Sequence, residues 1–298
     1  MYCCVVCSSD VFSVDEDFYA NFTGDTWKTG EWEVFQDLEI RAALPMYRTY
    51  SIGKSVNGMP LNVTEIGTGT KVGLVVAGAL HGNEFNTKTL VRALEKLFSA
   101  HPALVPPHCR LFFIPEINPE GIKKKMRKNG HLVDLNRNFP TDDWKSDAIS
   151  PSRMVPGSGG PSPGSEPEVQ ALTQWLLNVV KPSVEQVYII SFHAAYPPVG
   201  SVQPGYLVYG EPGLESARFA QFIAQESGYT YLKTWTTKIA ITGEFIHWCE
   251  MNDIWSCDIE LPDYYDPMSL SGNRIKTTFE IYERTIVSIL VNYFVSTQ

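Results

Sequence analysis

Val72-Gly-Leu-Val-Val-Ala-Gly-Ala-Leu-His81-Gly-Asn-Glu84 is a short apolar run that ends in a small-residue turn carrying a histidine and a glutamate. The run from Val72 to Ala79 has the length and composition of a strand. Asn86 to Phe98 follows with helical spacing of its apolar residues, so the segment reads as strand, turn, helix. In open α/β sheets ligands gather outside the carboxyl ends of the strands. His81 and Glu84 fall at such an end, and three residues apart at the turn their side chains can converge on one point.

The same alternation extends in both directions. Apolar runs predict strands near Tyr50 to Gly53, Leu61 to Ile66, Leu111 to Ile114, Val187 to Phe192, Tyr206 to Tyr209 and Ser256 to Leu261. Helices are expected from about Glu166 to Val180, Leu214 to Glu226, Phe245 to Met251 and Arg274 to Tyr293. Strands and helices interleaved in this way define the α/β class, a sheet covered on both faces. Residues 1–45 are acidic and aromatic without a sustained period, and are expected to form an extension packed on the domain of residues 46–298. The Pro- and Gly-rich segment 140–165 reads as a long loop. No internal repeat is visible.

The 298 residues, 44% of them apolar, supply enough chain for a sizeable core. The net charge of -9 repels nucleic-acid phosphates and argues against nucleic acid as a partner. No apolar run is long enough to cross about 30 Å of hydrocarbon, so no membrane partner is expected. Of the cysteines Cys3, Cys4, Cys7, Cys109, Cys249 and Cys257, the first three crowd together and do not make a disulfide framework. A reducing, cytoplasmic location is expected, since Met1 to Asp10 has neither the basic start nor the apolar core of an export signal. Cys4 to Cys7 has the CxxC spacing, but no second pair completes a zinc site.

Zinc hydrolases use two His and one Glu and leave a fourth position for water, so His81 and Glu84 require a second histidine. His101, His108 and His131 lie in loop-like sequence and His247 within a helix. His193 ends a predicted strand, 109 residues beyond Glu84. Taken singly, His81 could cap a helix and His193 could be an ordinary hydrogen-bonded core residue; taken together they point to a metal.

The segments Asn118-Pro-Glu-Gly121, Arg127-Lys-Asn129, Asp134-Leu-Asn-Arg-Asn-Phe-Pro140, Ser165-Glu-Pro-Glu168 and Ser191-Phe-His193 follow His81 to Glu84 in a fixed order. That order resembles the zinc metallocarboxypeptidase family over roughly residues 47 to 295, and within it is most similar to the murein peptide amidase A group. The resemblance implies a mixed, roughly eight-stranded sheet with helices on both faces in a single domain. It also implies one Zn2+ ion held by His81, Glu84 and His193. Glu260 matches the general base, Arg127 the residue that polarises the scissile carbonyl, and Asn136 with Arg137 the pair that binds a substrate carboxylate. An ion pair of Arg137 with Asp134 is the structural alternative for that arginine. Lys123, Lys124, Lys125 and Lys128 read as a solvated run. Ser165 and Glu168 have capping-box spacing and are assigned to structure.

One feature departs from the family. Its members carry a tyrosine on a mobile loop upstream of the general base, and Lys238 to Gly243 contains none; Tyr229 and Tyr231 come earlier, and Tyr264 and Tyr265 follow Glu260. The resemblance implies a hydrolase of a small peptide with a free carboxylate, foremost a murein peptide amidase cutting between γ-D-Glu and meso-diaminopimelate. A general carboxypeptidase, an N-acyl amino acid deacylase and an inactive zinc-containing peptide binder are the other readings.

Overall fold

A computed structural model describes residues 47–150, 153–194, 207–210, 213–233, 240–262 and 272–294. Its elements in chain order are β1 (Tyr47–Lys54), β2 (Pro60–Ile66), β3 (Val72–Ala77), α1 (Phe85–Ala100), β4 (Cys109–Ile114), α2 (Pro119–Lys124), β5 (Ala148–Ile149) and β6 (Met154–Val155). There follow α3 (Pro167–Trp175), β7 (Gln186–Ala194), β8 (Leu207–Gly210), α4 (Leu214–Ser227), β9 (Thr230–Leu232), α5 (Phe245–Met251), β10 (Trp255–Leu261) and α6 (Gly272–Ser288). The expectation for residues 1–45 lies outside the described residues, as do Cys3, Cys4 and Cys7.

All six residues of β3 are buried, which explains why the strand reads as a continuous apolar run. It lies inside an eight-stranded sheet of order β1-β2-β4-β3-β7-β10-β8-β9. The four middle strands β4, β3, β7 and β10 are mutually parallel, while β1 and β2 on one side and β8 on the other join antiparallel. This is the mixed sheet that the family resemblance implies. Parallel neighbours need crossover connections, and the helices supply them.

On one face Val75, Ala77, Phe112, Ile114, Val187 and Ile189 pack with Val169, Leu172 and Trp175 of α3 and with Phe245 and Trp248 of α5. On the other, Phe113 meets Phe98 of α1, Tyr188 meets Phe219 of α4, and Phe192 meets Tyr282 of α6 at 4.8 Å between ring centres. Each such buried side chain contributes about 1.5–3 kcal/mol, so both faces are held by many modest terms. Period two along β7 therefore sends Tyr188 and Phe192 to one face and Val187, Ser191 and His193 to the other.

Three local features differ from the sequence reading. The segment 140–165 is not structureless: β5 and β6 pair as a small antiparallel hairpin, and Asn138 fastens the rest. Its Nδ2 donates to Gly159 O and Ser162 O, and its Oδ1 accepts from Glu166 N. The capping box does not form. Pro167 occupies the first helical position of α3, so Glu166 rather than Ser165 is the N-cap and the box falls out of register. Lys123 and Lys124 belong to α2 rather than to a loop, because Asn118 caps its start by accepting from Gly121 N at 2.9 Å.

Between β3 and α1 the chain is sharply bent. Buried Ala79 has φ 50°, a left-handed conformation that costs a non-glycine residue about 1–2 kcal/mol. It is held by Thr87 Oγ1, which accepts from Ala79 N at 2.9 Å, and by Asn118 N, which donates to Ala79 O at 3.0 Å. Just beyond, Gly82 packs against Gly121 so closely that an added Cβ would sit 2.0 Å from the Gly121 carbonyl carbon. No helix among the described residues is long and apolar enough to cross a membrane. Cys109, Cys249 and Cys257 are buried free thiols.

Candidate metal centre

The bend after β3 presents His81 and Glu84 at the carboxyl end of the strand, and His193 sits one residue before the end of β7, its parallel neighbour. His81 Nδ1 lies 2.9 Å from Glu84 Oε1 and 3.1 Å from His193 Nδ1, and His193 Nδ1 lies 3.2 Å from Glu84 Oε2. Bonds of 2.0–2.1 Å to a tetrahedral zinc set its ligand atoms about 3.3 Å apart, so the donor set has the right size. All three residues are buried.

The outer partners of the rings fix their protons. His81 Nε2 faces Asp134 Oδ1 at 3.1 Å, which places its N–H there and turns the Nδ1 lone pair to the centre. His193 Nε2 faces Ser191 Oγ at 3.0 Å and Asp258 Oδ1 at 3.5 Å, and orients its ring the same way. Two neutral imidazoles and a carboxylate converging on one point are stabilised by a cation between them, or in its absence by protonation of the rings. The chemistry of the donors therefore fits zinc.

Burial alone would raise the Glu84 carboxyl, but the charges and hydrogen bonds of His81 and His193 outweigh it and hold the group far below the usual carboxylate range. Asp134 behaves likewise: against its burial, the charges of Arg127 and His81 keep it ionised. The His193 imidazole, which burial would lower, is held well above its ordinary value by Asp258 and Glu84.

Arg127 reaches this centre from the loop after α2. Its Nε donates to Asp134 Oδ2 at 2.7 Å and its Nη1 to Glu84 Oε1 at 3.4 Å. Asp134 thus ties His81 and Arg127 together and also accepts from Ser150 Oγ of the β5–β6 turn. No pattern in the sequence links Asp134 to His81, 53 positions away.

Asn136 and Arg137 lie next to Asp134 and are nearly fully buried. Asn136 Oδ1 accepts from Phe245 N at 2.8 Å. Arg137 Nε donates to Ile149 O at 2.7 Å and Nη1 to Asn136 O, with Glu244 Oε1 3.8 Å from Nη1. The alternative reading, an ion pair of Arg137 with Asp134, does not form as a direct contact, because the Asp134 carboxylate is already taken by His81, Arg127 and Ser150; the two residues interact at longer range. Burial lowers the Arg137 guanidinium from its ordinary value, with Asp134 and Glu244 opposing the shift.

Glu260 stands on β10 directly opposite His193 in the parallel register with β7. Opposed residues of parallel strands point to the same face, so Glu260 is on the metal-centre side. Glu166 and Glu168 stay structural: Glu166 Oε2 accepts from Asn129 Nδ2 and His131 Nδ1, and Glu168 from Val56 N and Asn129 Nδ2. Tyr229 packs against Tyr282 on the opposite face, away from the centre. Lys238, Ile239, Tyr264 and Tyr265 lie outside the described residues. A second group, Asp142, Asp143 and His247, lies nearer the surface.

The fold and the site define a zinc carboxypeptidase-type architecture. The zinc carboxypeptidase family matches residues 39–198, just over half of the chain, and the chain belongs to that family of metallopeptidases. Murein peptide amidase A of Escherichia coli (strain K12) is 36% identical over 154 residues, 49% of this chain and 58% of that protein. The chain thus spans less than two thirds of that relative's length. Among solved structures, murein-tripeptide amidase from Escherichia coli O157 superposes with a TM-score of 0.59 at 22% identity, over 83% of this chain and 94% of the other. Bovine thrombin-activatable fibrinolysis inhibitor, in complex with tick carboxypeptidase inhibitor, superposes with a TM-score of 0.68 at 19% identity, over 90% and 96%. These two structures establish the shared fold.

Proposed function

We propose that the chain hydrolyses a peptide or amide bond next to a free carboxylate, with one zinc ion held by His81, Glu84 and His193. The observation that carries this reading is the convergence of those three donors beside Glu260. Zinc bound there supplies a Lewis acid and acidifies a water. Glu260 takes a proton from the attacking water and delivers it to the leaving amine. Arg127 donates to the carbonyl oxygen, whose negative charge grows as the water attacks. Asn136 Nδ2 and the Arg137 guanidinium hold the carboxylate of the leaving residue.

The substrate we propose is a murein peptide cut between γ-D-Glu and meso-diaminopimelate. The 36% identity to murein peptide amidase A supports it. A cytoplasmic location belongs to the same reading, since recycled murein peptides are small, anionic and internal. The test is mass spectrometry of products after incubating zinc-loaded protein with L-Ala-γ-D-Glu-meso-diaminopimelate, beside Glu260→Gln. Free diaminopimelate from the wild type alone is expected. Turnover only of simple L-peptides would instead make the chain a general carboxypeptidase, and turnover only of N-acyl amino acids a deacylase.

A further inference from the structure

We propose that Asn129 is a positioning residue for Arg127 and Asp134, an assignment that rests on the hydrolase reading above for the role of Arg127. Arg127 and Asp134 lie on the two arms of one turn and meet through the bond from Arg127 Nε to Asp134 Oδ2 at 2.7 Å. Asn129 closes that turn from inside. Its N donates to Val133 O at 2.9 Å and its O accepts from Leu132 N at 3.0 Å. Its Oδ1 accepts from His131 N at 3.1 Å and from Val133 N at 3.0 Å. Leu132, at the exposed tip, has φ 63°, a left-handed conformation unfavourable for a residue with a Cβ, so the turn depends on these bonds for its shape.

The same residue fastens the turn to the rest of the domain. Asn129 is 1% exposed, and its Nδ2 donates to Glu166 Oε2 at 2.7 Å and to Glu168 Oε2 at 3.1 Å, at the start of α3. Both of its side-chain N–H groups are spent on carboxylates, the stronger class of acceptor. The next residue, Gly130, has no room for a Cβ, which would meet Glu120 Oε2 of α2. Glu120, Glu166 and Glu168, three buried carboxylates with no part in the hydrolytic steps, are thus the seat of the turn. A carboxamide is the side chain that seat requires, since it alone accepts from the turn and donates to the acids. At its other end the segment is pinned by Arg127 O, which accepts from Gly82 N at 3.3 Å and from Asn118 Nδ2 at 3.2 Å. Releasing Asn129, two residues on, therefore lets the guanidinium swing against Asp134 and Glu84, and a displacement of about 1 Å is enough to spoil a donor aimed at a developing oxyanion.

The experiment compares wild type, Asn129→Ala and Asn129→Asp, each alone and combined with Arg127→Ala, in zinc-loaded protein with Tm and bound zinc measured. Asn129→Asp keeps the acceptor for the turn and loses the donors to Glu166 and Glu168. On L-Ala-γ-D-Glu-meso-diaminopimelate or, where that is not cut, a simple L-peptide, both variants are expected to lower kcat about 10- to 100-fold with KM within about threefold. With Arg127→Ala present the same substitutions should cost less than about twofold, because the group they aim is gone. A second readout needs no turnover: hydrogen exchange of the Arg127 Nε–H, followed by NMR and identified by its loss in Arg127→Ala. It is expected to quicken about tenfold to a hundredfold in both variants, the range of one hydrogen bond to a charged group. Where Asn129→Ala does not fold, Asn129→Asp carries the comparison; unfolding of both overturns the assignment by making Asn129 a residue of the fold alone. Unchanged kcat, or equal losses with and without Arg127, overturns it as well. A wild type that hydrolyses nothing removes the hydrolase reading while quickened exchange leaves the positioning standing; turnover with unchanged exchange does the reverse.

Discussion

Glu260 and His193 face each other across the β10–β7 pairing, in parallel register and on the same side of the sheet. A carboxylate and an imidazole are thereby set on neighbouring strands by backbone hydrogen bonds rather than by a loop. The register puts Glu260 on the sheet face that carries His193, the placement the proposed mechanism needs.

Glu260→Gln should therefore leave the metal site intact and remove the base. Zinc content measured by atomic absorption is expected to stay stoichiometric, while kcat falls by about 10²- to 10⁴-fold. Near-native turnover in this variant would place the base elsewhere.

His81→Ala, Glu84→Gln and His193→Ala each remove one of three donors that sit 2.9–3.2 Å apart. Each variant should lose zinc and activity together. Full zinc occupancy after dialysis in any one of them would remove that residue from the ligand set.

Asp134 positions two groups at once, His81 through Oδ1 and Arg127 through Oδ2. Asp134→Asn is expected to weaken zinc affinity about 10- to 100-fold in competition with a chelator. The pH dependence has a definite sign. The Asp134 carboxyl is held below its unfolded value, so its stabilisation is complete above about pH 4 and is lost as pH falls through the folded value. Acid unfolding of metal-free protein followed by circular dichroism should be less steep in the variant; an identical profile would show that Asp134 is not the group being titrated.

Most of the sheet and helices was legible in the sequence because buried parallel strands leave unbroken apolar runs and their covering helices leave a 3.6-residue period. β9, at three residues, and the two-residue strands β5 and β6 are too short to leave either mark. The capping box failed because spacing alone does not say which residue precedes the first turn, and Pro167 settles that locally. The link between Asp134 and His81, and the opposition of Glu260 to His193, depend on how distant strands align. Periodicity carries no record of that register.

Arg137 has Nε and Nη1 committed to the backbone, so in the proposed anchor the rest of its guanidinium and Asn136 Nδ2 would bind the carboxylate. Arg137→Ala should raise KM for a substrate with a free terminal carboxylate about 10- to 100-fold, with a much smaller effect on its amidated counterpart. Equal losses on both would show that Arg137 serves the fold and not the anchor.

Gly82→Ala would drive a methyl group into the Gly121 backbone, where the gap is 2.0 Å and no side chain can move aside. A destabilisation of about 1–3 kcal/mol is expected, read as a lowered Tm, with loss of zinc affinity because His81 is the adjoining residue. An unchanged Tm would mean that the two loops separate easily.

The two histidines of the centre are 112 positions apart in the chain, and both Asp134 and the neighbouring strands must be in place before their rings are aimed. Contacts of such long range close late in folding, since the entropy of the intervening loop is lost first. Until β7 docks beside β3, His193 is not beside His81 and Glu84. With the proposed ligand set, metal capture follows docking of β7 beside β3, and a bound ion would mark a molecule whose central sheet is already assembled.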